Sequence, residues 1–345
     1  MDTTFVQDLG ERPSRVPWRR RSFPRSAARK VILPPAETHR TVHNDTAIDI
    51  KTMSLKRATF KMSVNEVKVG SGRCLAIVGP NGSGKTSLME SLLGLTEASA
   101  TLSIMGQPVT LAARSTSARR DIGVQLLSAG YPCMLRVRDL VATHALLYGK
   151  AAPQVHELLD IGALADKTFG VLSQGERQRF KLYMAWAHRP RLVFMDEPFT
   201  GLDQMFASAV ERLISERGST TVMMICHSSG ELALADEMIW MTDGIVRDHG
   251  PVTDMKDRLL GSHRISIRCV DKAMVDFVTA SLNASGELRH ITAPDGPGLV
   301  VAYGGEQLVA LMTAVMRDHE ITEVAIAQLG LGNLLTFCAA GGEYV

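Results

Sequence analysis

Residues 79–87 read "GPNGSGKTS" and directly follow "RCLAIV", whose apolar part begins after Arg73. Gly79, four further residues and then Gly84-Lys85-Thr86 form a spacing typical of a loop whose backbone N–H groups close around a polyphosphate. Leucine and methionine continue at helical spacing after the loop. The loop is therefore placed at a helix N-terminus, where anions are favoured, and a phosphate loop is preferred over a bare glycine-rich turn.

This loop supplies most of the predicted nucleotide contacts. We expect the Lys85 ammonium to reach the β- and γ-phosphates and the Thr86 hydroxyl to hold Mg²⁺. The predicted contacts within the loop are Gly79, Asn81, Gly82, Ser83, Gly84, Lys85, Thr86 and Ser87.

Composition is that of a globular protein with more than one domain: 345 residues, 45% hydrophobic and 21% charged. The net charge of +2 is unevenly spread, because residues 1–46 hold nine Arg and Lys against five Asp and Glu. The rest of the chain is thus mildly acidic, which argues against nucleic acid as a main partner.

Five cysteines without a C-x-x-C pair indicate neither a disulfide framework nor a zinc site. A reducing cytosol fits this usage.

Three regions are predicted along the chain. Residues 1–45 are rich in Arg, Pro and Ser without periodicity and are expected to form a disordered extension. Residues 46–258 alternate strands with helices, which predicts an α/β domain: a mainly parallel sheet core, an antiparallel β subdomain at its start and an inserted helical lobe at about 126–170. Residues 262–345 predict a small α+β domain. The uncharged stretch 324–342 is interpreted as a strand and a helix, not a membrane span.

The segment "VLSQGERQRF" (171–180) has two compatible interpretations. Ser173 and Glu176 match the S-x-x-E capping box of a helix N-terminus. Ser173 and Gly175 also offer a hydroxyl and backbone N–H groups to a phosphate.

Two adjacent carboxylates, Asp196 and Glu197, end the apolar run in "RLVFMDEPFTGLD". Beside a phosphate loop, Asp196 is expected to help hold Mg²⁺ and Glu197 to polarise the attacking water. A surface Asp-Glu pair before a proline turn is the weaker alternative.

The ordered set "GPNGSGKT", "IGVQL", "LSQGE", "FMDEP", "GLD" and "ICHSS" resembles the ATP-binding cassette (ABC) ATPases, members of the P-loop NTPases, over roughly residues 47–255. The resemblance implies that Gln125 contacts Mg²⁺ and the attacking water, and that His227 contacts the γ-phosphate and helps position Glu197. It places Asp203 at an interface between two cassettes. It also implies that Ser173 and Gly175 close on ATP bound to the opposite cassette, so that two chains sandwich two ATP molecules.

Two motifs depart from the family pattern. The signature reads Leu-Ser-Gln-Gly-Glu where the commonest form is Leu-Ser-Gly-Gly-Gln, although Ser173 and Gly175 remain. The family usually stacks a tyrosine on adenine, and the corresponding stretch here reads "SLKRATF". Phe60, or the guanidinium plane of Arg57, is expected to take that place.

The resemblance extends to one subclass. Residues 121–149 and, more loosely, the stretch "VAIAQLGLGNLLTF" resemble the ATPase subunits of drug and antibiotic exporters. This implies an ATPase that works as a homodimer with a separate integral-membrane permease, cytoplasmic and peripheral on the inner face of the cell membrane. The alternative is a soluble ABC ATPase of iron–sulfur assembly.

The basic cluster of the N-terminal extension has two interpretations. It is either a contact to anionic lipids or a functionless extension, for which an upstream start site is one explanation. Its members are Arg19, Arg20, Arg21, Arg25, Arg29 and Lys30.

Overall fold

The computed structural model describes residues 46–57, 60–108, 120–149, 152–284, 286, 288–293, 295–310 and 323–342. The predicted N-terminal extension and its basic cluster lie outside these residues, and their roles stay predictions.

The described chain opens with antiparallel strands. Strand β1 (Thr46–Arg57) pairs with β2 (Phe60–Gly70) on one side and with β4 (Ser99–Ile104) on the other. A short β5 (Gln107–Pro108) follows β4. Buried and exposed residues alternate along β2, as expected for a sheet with one face on a core.

The strands that follow form the parallel part. In the order β9-β3-β8-β7-β6 they are parallel neighbours, and β3, β7 and β8 are buried at every position. Continuous apolar runs are the sequence signature of strands covered on both faces. Their bounds are β3 (Cys74–Val78), β6 (Ile122–Gln125), β7 (Leu192–Asp196), β8 (Thr221–Ile225) and β9 (Glu237–Thr242).

Strand β10 (Ile245–Pro251) joins the two parts, because it pairs antiparallel with β9 and parallel with β2. The result is one mixed sheet of ten strands, ordered β5-β4-β1-β2-β10-β9-β3-β8-β7-β6. The predicted combination of a mainly parallel core with an antiparallel part is confirmed.

Helices cover both faces of this sheet. Helix α1 packs Leu88, Met89 and Leu92 against one face, and α4 packs Phe180 and Tyr183 into the cluster on the other. The described helices of this part are α1 (Lys85–Leu93), α2 (Val137–Tyr148), α3 (Pro153–Leu158), α4 (Gln174–Trp186), α5 (Gln204–Ser215), α6 (Ser229–Leu232) and α7 (Val252–Leu259).

The C-terminal part has its own antiparallel sheet, in the order β12-β13-β11-β14. Its elements are β11 (His263–Cys269), α8 (Lys272–Asn283), β12 (Leu288–Thr292), β13 (Gly298–Gly304), β14 (Glu323–Gln328) and α9 (Leu331–Ala339). Most of the helix predicted at 306–318 lies outside the described residues, and the domain boundary at 262 stays a prediction.

Helix α9 packs away from that small sheet. Leu334, Phe337 and Cys338 join the core cluster of the large sheet, and Trp240 Nε1 of β9 donates to the Cys338 carbonyl at 3.2 Å. The stretch 324–342 thus forms a strand and a helix, as its pattern predicts. Within the described ranges, every helix is too short or too polar to cross a membrane.

Candidate active site

Four polar segments meet at one edge of the large sheet. The loop 79–87 follows β3, His227 follows β8, Asp196 and Glu197 lie at the end of β7, and Gln125 ends β6. Because these strands are parallel neighbours, their carboxyl ends lie side by side. Ligands of open α/β sheets bind at that edge.

The loop is built for close approach of its backbone. A Cβ on Gly79 would lie 2.0 Å from the Met241 carbonyl oxygen, so no larger residue fits there. Gly84 caps α1 with φ 101°, a left-handed conformation that favours glycine. The Ser83 hydroxyl is buried without a hydrogen-bond partner in the described structure. An orphaned donor beside a helix N-terminus fits a phosphate oxygen.

Lys85 folds over this loop. Its ammonium donates to the carbonyls of Gly79 at 2.8 Å and Pro80 at 2.9 Å. Burial lowers the pKa of Lys85, while the nearby carboxylates of Glu197 and Asp196 raise it. The positive charge and the two carboxylates therefore share one site, although they are more than a hundred residues apart in sequence.

Asp196 and Glu197 differ in environment. Asp196 is 4% exposed, and burial, followed by the charge of Glu197, raises its pKa, whereas the Leu127 N–H and His227 lower it. Glu197 has φ 51°, which is rare for a residue with a side chain. Its carboxylate lies 3.1 Å from His227 Nε2 and accepts a hydrogen bond from Thr200 Oγ1 at 3.2 Å. The surroundings therefore hold this carboxylate in one orientation.

Gln125 is buried, with 1% of its surface exposed. Its Nε2 donates to the Asp196 carbonyl at 3.0 Å, while its Oε1 has no partner within the described structure. A buried amide oxygen without a donor fits a water or a cation. The predicted metal set of Thr86, Gln125 and Asp196 combines one carboxylate with neutral oxygens, which suits Mg²⁺ completed by substrate phosphates.

The predicted signature segment forms the N-terminus of α4. Ser173 Oγ accepts from the Glu176 N–H at 3.3 Å, and the Glu176 carboxylate accepts from the Ser173 N–H at 2.9 Å, so the capping box is present. Gly175 faces Gly201, whose carbonyl oxygen would lie 2.7 Å from a Cβ added at Gly175. Among the described residues, no recorded hydrogen bond or ion pair joins Ser173 or Gly175 to the loop 79–87.

Asp203 has a local structural role. It caps α5 by accepting a hydrogen bond from the Phe206 N–H at 3.0 Å. Its place at an interface between two cassettes stays a prediction.

The two candidates for the adenine contact are placed differently. The Phe60 ring lies over the phosphate loop, since a Cβ on Gly84 would come within 2.8 Å of its Cζ. Arg57 points its guanidinium towards Glu90, at 4.0 Å. This geometry favours Phe60, and the contact itself stays a prediction.

Sequence reasoning missed two residues of α4 that touch the site. Gln178, 4% exposed, donates from Nε2 to the carbonyls of Glu197 at 3.1 Å and Pro198 at 2.9 Å. Lys181 donates to the carbonyls that follow Gln125. A glutamine and a lysine in a helix rich in polar residues carry no spacing signal that would have identified them.

Known proteins share this sequence pattern. A family model described as ABC transporter matches residues 63–200. The aliphatic sulfonates import ATP-binding protein SsuB of Pseudomonas entomophila is 32% identical over 208 residues, which are 58% of this chain and 74% of that protein. Nod factor export ATP-binding protein I of Mesorhizobium japonicum is 29% identical over 252 residues, which are 68% of this chain and 74% of that protein.

Solved structures show the same fold. An ATP-binding subunit of an ABC transporter superposes with a TM-score of 0.55 at 20% identity and covers 61% of this chain and 92% of its own. The dimeric bacterial ABC transporter cassette MJ0796 superposes with a TM-score of 0.51 at 22% identity, covering 59% and 98%.

Proposed function

The chain belongs to the ATP-binding proteins of ABC transporters and is an ATPase of that family, and from this premise we propose that it powers export through a separate membrane permease. The observation that carries the catalytic part is the meeting of Lys85, Asp196, Glu197 and Gln125, with His227, at one sheet edge. Phosphoryl transfer to water needs a positive charge at the phosphates, an oriented carboxylate for the water and oxygen ligands for a metal. Lys85, Glu197 and Gln125 offer these groups.

In the proposed mechanism, Lys85 exchanges its loop carbonyls for the β- and γ-phosphates of ATP. The N–H groups of the loop and the Ser83 hydroxyl hold the remaining phosphate oxygens. Glu197 orients the attacking water and accepts its proton, and the 3.1 Å contact to His227 keeps the carboxylate aimed. Thr86, Gln125 and Asp196 would hold Mg²⁺, which would neutralise charge on the phosphates when bound.

We further propose that two copies of the chain complete each site. Ser173 and Gly175 are at the exposed start of α4 and have no recorded bond to the phosphate loop of their own chain in the described structure. A helix N-terminus that offers N–H groups outward suits a phosphate held by another copy. The solved cassette MJ0796 is a dimer, which supports the same arrangement here.

The proposed permease contact rests on the helical lobe. Met134, in the lobe, and Val171, directly after it, are 86% and 70% exposed. Residues 133–136 lie beside 168–170, because Gly170 donates to the Cys133 carbonyl at 2.9 Å and Phe169 to the Leu135 carbonyl at 2.9 Å. Exposed apolar side chains on neighbouring segments are typical of a protein contact. The protein would thereby be cytoplasmic and peripheral on the inner face of the membrane.

The direction of transport has two candidates. Export is favoured by the Nod factor relative, whose match extends over 68% of this chain. Import is favoured by the sulfonate relative, which matches 58% of the chain at higher identity. The genes beside this one discriminate between them. A membrane permease without a secreted solute-binding protein supports export, and a neighbouring solute-binding protein supports import.

Sedimentation of purified variants tests the ATP sandwich. Glu197→Gln should form dimers with ATP, because it binds ATP without turning it over. Adding Ser173→Arg should block dimerisation, since a long side chain then lies where the γ-phosphate is held. Adding Ser215→Arg instead, at the exposed end of α5, is the matched control and should leave dimers intact. Dimers that persist with Ser173→Arg would refute the sandwich.

A further inference from the structure

The Lys181 ammonium hydrogen-bonds to the backbone of a single loop. From the middle of α4 its ammonium donates to two consecutive carbonyls, Leu126 at 3.3 Å and Leu127 at 2.8 Å. Within the described residues it forms no ion pair at salt-bridge distance, and the charges that act on it are the repulsive Arg177 and the attractive Asp196. Surface lysines usually point to water or to a carboxylate, so this arrangement requires an explanation.

The loop that Lys181 holds begins immediately after Gln125. The Leu126 side chain is 5% exposed, whereas Leu127 is 50% exposed, so the chain leaves the core at this point. Inside the loop, Ala129 donates to the Leu126 carbonyl over a long 3.3 Å bond. The two bonds from Lys181 therefore add to the buried Leu126 side chain in anchoring this stretch.

The same stretch lies against the proposed metal ligands. The Leu127 N–H faces the Asp196 carboxylate as a hydrogen-bond donor. Gln125 Nε2 donates to the Asp196 carbonyl at 3.0 Å, and Oε1 has no partner within the part of the chain that the structure describes. A displacement of the Leu126–Leu127 peptide would thus move the Gln125 side chain and remove an N–H from the Asp196 carboxylate together.

Helix α4 hydrogen-bonds to the segments that follow two neighbouring strands, β6 and β7. Gln178, three residues before Lys181 and on the same face, donates to the carbonyls of Glu197 and Pro198 after β7. Lys181 donates to the Leu126 and Leu127 carbonyls after β6. The helix that begins at Ser173 is thereby tied to both segments that carry the hydrolytic residues.

We propose that Lys181 is a positioning residue for ATP hydrolysis: it clamps the Leu126 and Leu127 carbonyls and so holds Gln125 and Asp196 at the spacing that Mg²⁺ requires. This inference rests on the proposed function of those two residues. Groups that orient metal ligands without touching the metal typically change metal affinity or activity by about 10- to 100-fold when removed.

The experiment uses the full chain in four forms: wild type, Lys181→Met, Lys181→Arg and Lys256→Met. Lys256 is the matched control, because it is also a helix lysine that donates to a backbone carbonyl, Leu329 at 3.4 Å, in the C-terminal part. ATP turnover is measured against Mg²⁺ concentration. Binding of a fluorescent ATP analogue is measured in parallel, and hydrogen–deuterium exchange is followed for the peptide containing residues 125–131.

Lys181→Met should lower kcat about 10-fold, raise the half-saturating Mg²⁺ concentration by a similar factor and speed amide exchange in 125–131. Affinity for the ATP analogue should stay within about twofold of wild type, since the phosphate loop is untouched. Lys181→Arg keeps the charge and several donors and should recover most of the loss. Lys256→Met should behave as wild type.

Three results would overturn the inference. One is wild-type turnover and Mg²⁺ dependence in Lys181→Met. Another is a loss of analogue binding and thermal stability equal to that of turnover, which would indicate a general folding defect. The third is unchanged exchange in 125–131. If the wild-type chain itself does not hydrolyse ATP, the proposed function fails instead, and the exchange measurement still decides whether the clamp exists.

Discussion

The carboxyl edge of the large sheet and the C-terminal four-stranded sheet differ in what their residues contribute to stability. At the edge, Ser83 Oγ and Gln125 Oε1 are buried without partners among the described residues, and Glu197 holds a left-handed backbone. Such features cost stability and persist where they serve chemistry. The C-terminal sheet rests mainly on an apolar core that includes Ile265 and Leu282, although Arg264 Nε and Thr279 Oγ1 are also buried there without partners among the described residues. Substitutions at the edge should therefore change activity more than stability, and those in the C-terminal part the reverse.

The largest expected effect lies at the edge. Glu197→Gln should lower kcat by about 1000-fold, because an amide keeps the shape of the carboxylate but cannot accept the proton. Affinity for ATP and the unfolding midpoint should change little. Turnover of radiolabelled ATP measures the loss of kcat, and equilibrium binding of ATP, measured in parallel, tests whether affinity is unchanged. A kcat near that of wild type would remove Glu197 from its role.

Lys85→Ala should act on binding instead. It removes a charge that faces the phosphates, for a loss of about 3 kcal/mol, or on the order of 100-fold in Kd. Lys256→Ala, outside the edge, serves as the control and should bind normally. Titration with a fluorescent ATP analogue measures both variants. Equal affinity of Lys85→Ala and wild type would contradict the phosphate-loop assignment.

Helix α9 belongs to the C-terminal part but packs on the large-sheet core, and it should show the opposite pattern to the edge. The Phe337 ring of α9 is 8% exposed and lies 5.3 Å from the Trp240 ring, centroid to centroid. Phe337→Ala should lower the free energy of unfolding by about 2 kcal/mol through the cavity it leaves, with kcat within about twofold of wild type. Phe277→Ala, at a ring 39% exposed, should cost less. Denaturant titration and ATP turnover check the comparison, and a large kcat loss without destabilisation would break it.

The smallest effect concerns two neighbouring histidines, His144 of the helical lobe and His188 just after α4, whose ring centroids lie 5.1 Å apart. Burial, followed by the nearby His144, lowers the pKa of His188 to about 4. The unfolded chain binds a proton near pH 6.5 where the folded chain does not, so His188 costs stability progressively as pH falls from about 6.5 to about 4. His188→Gln should flatten this acid-side decline in thermal midpoint, with a remainder from His144, whose pKa burial also lowers. An unchanged pH profile would show that the site is solvated.

Much of the fold was predictable because its signals are local. The buried strands β3, β7 and β8 are continuous apolar runs, and the capping box at Ser173 needs only neighbours in the chain. Strand β6 carries no such signal, because four residues ending in a glutamine show too little periodicity. Within the helical lobe predicted at about 126–170, the chain does not continue as one regular helix after α3. The structure has α3 and then a 3₁₀ turn, since Asp160 adopts φ 47° between them.

The sequence by itself determined the phosphate loop, the paired carboxylates and the order of the family motifs, because each depends on residue types at fixed short spacing. Tertiary structure alone decided that β10 joins two sheets into one and that α9 packs on the large-sheet core. It also decided that Gln178 and Lys181 hydrogen-bond to the backbone that follows β7 and β6. The side-chain hydrogen bonds of Gln178, Lys181 and Trp240 join residues 19 to 98 positions apart. A hydrogen bond to a backbone carbonyl leaves no mark on the residue that accepts it, so only the folded chain reveals the partner.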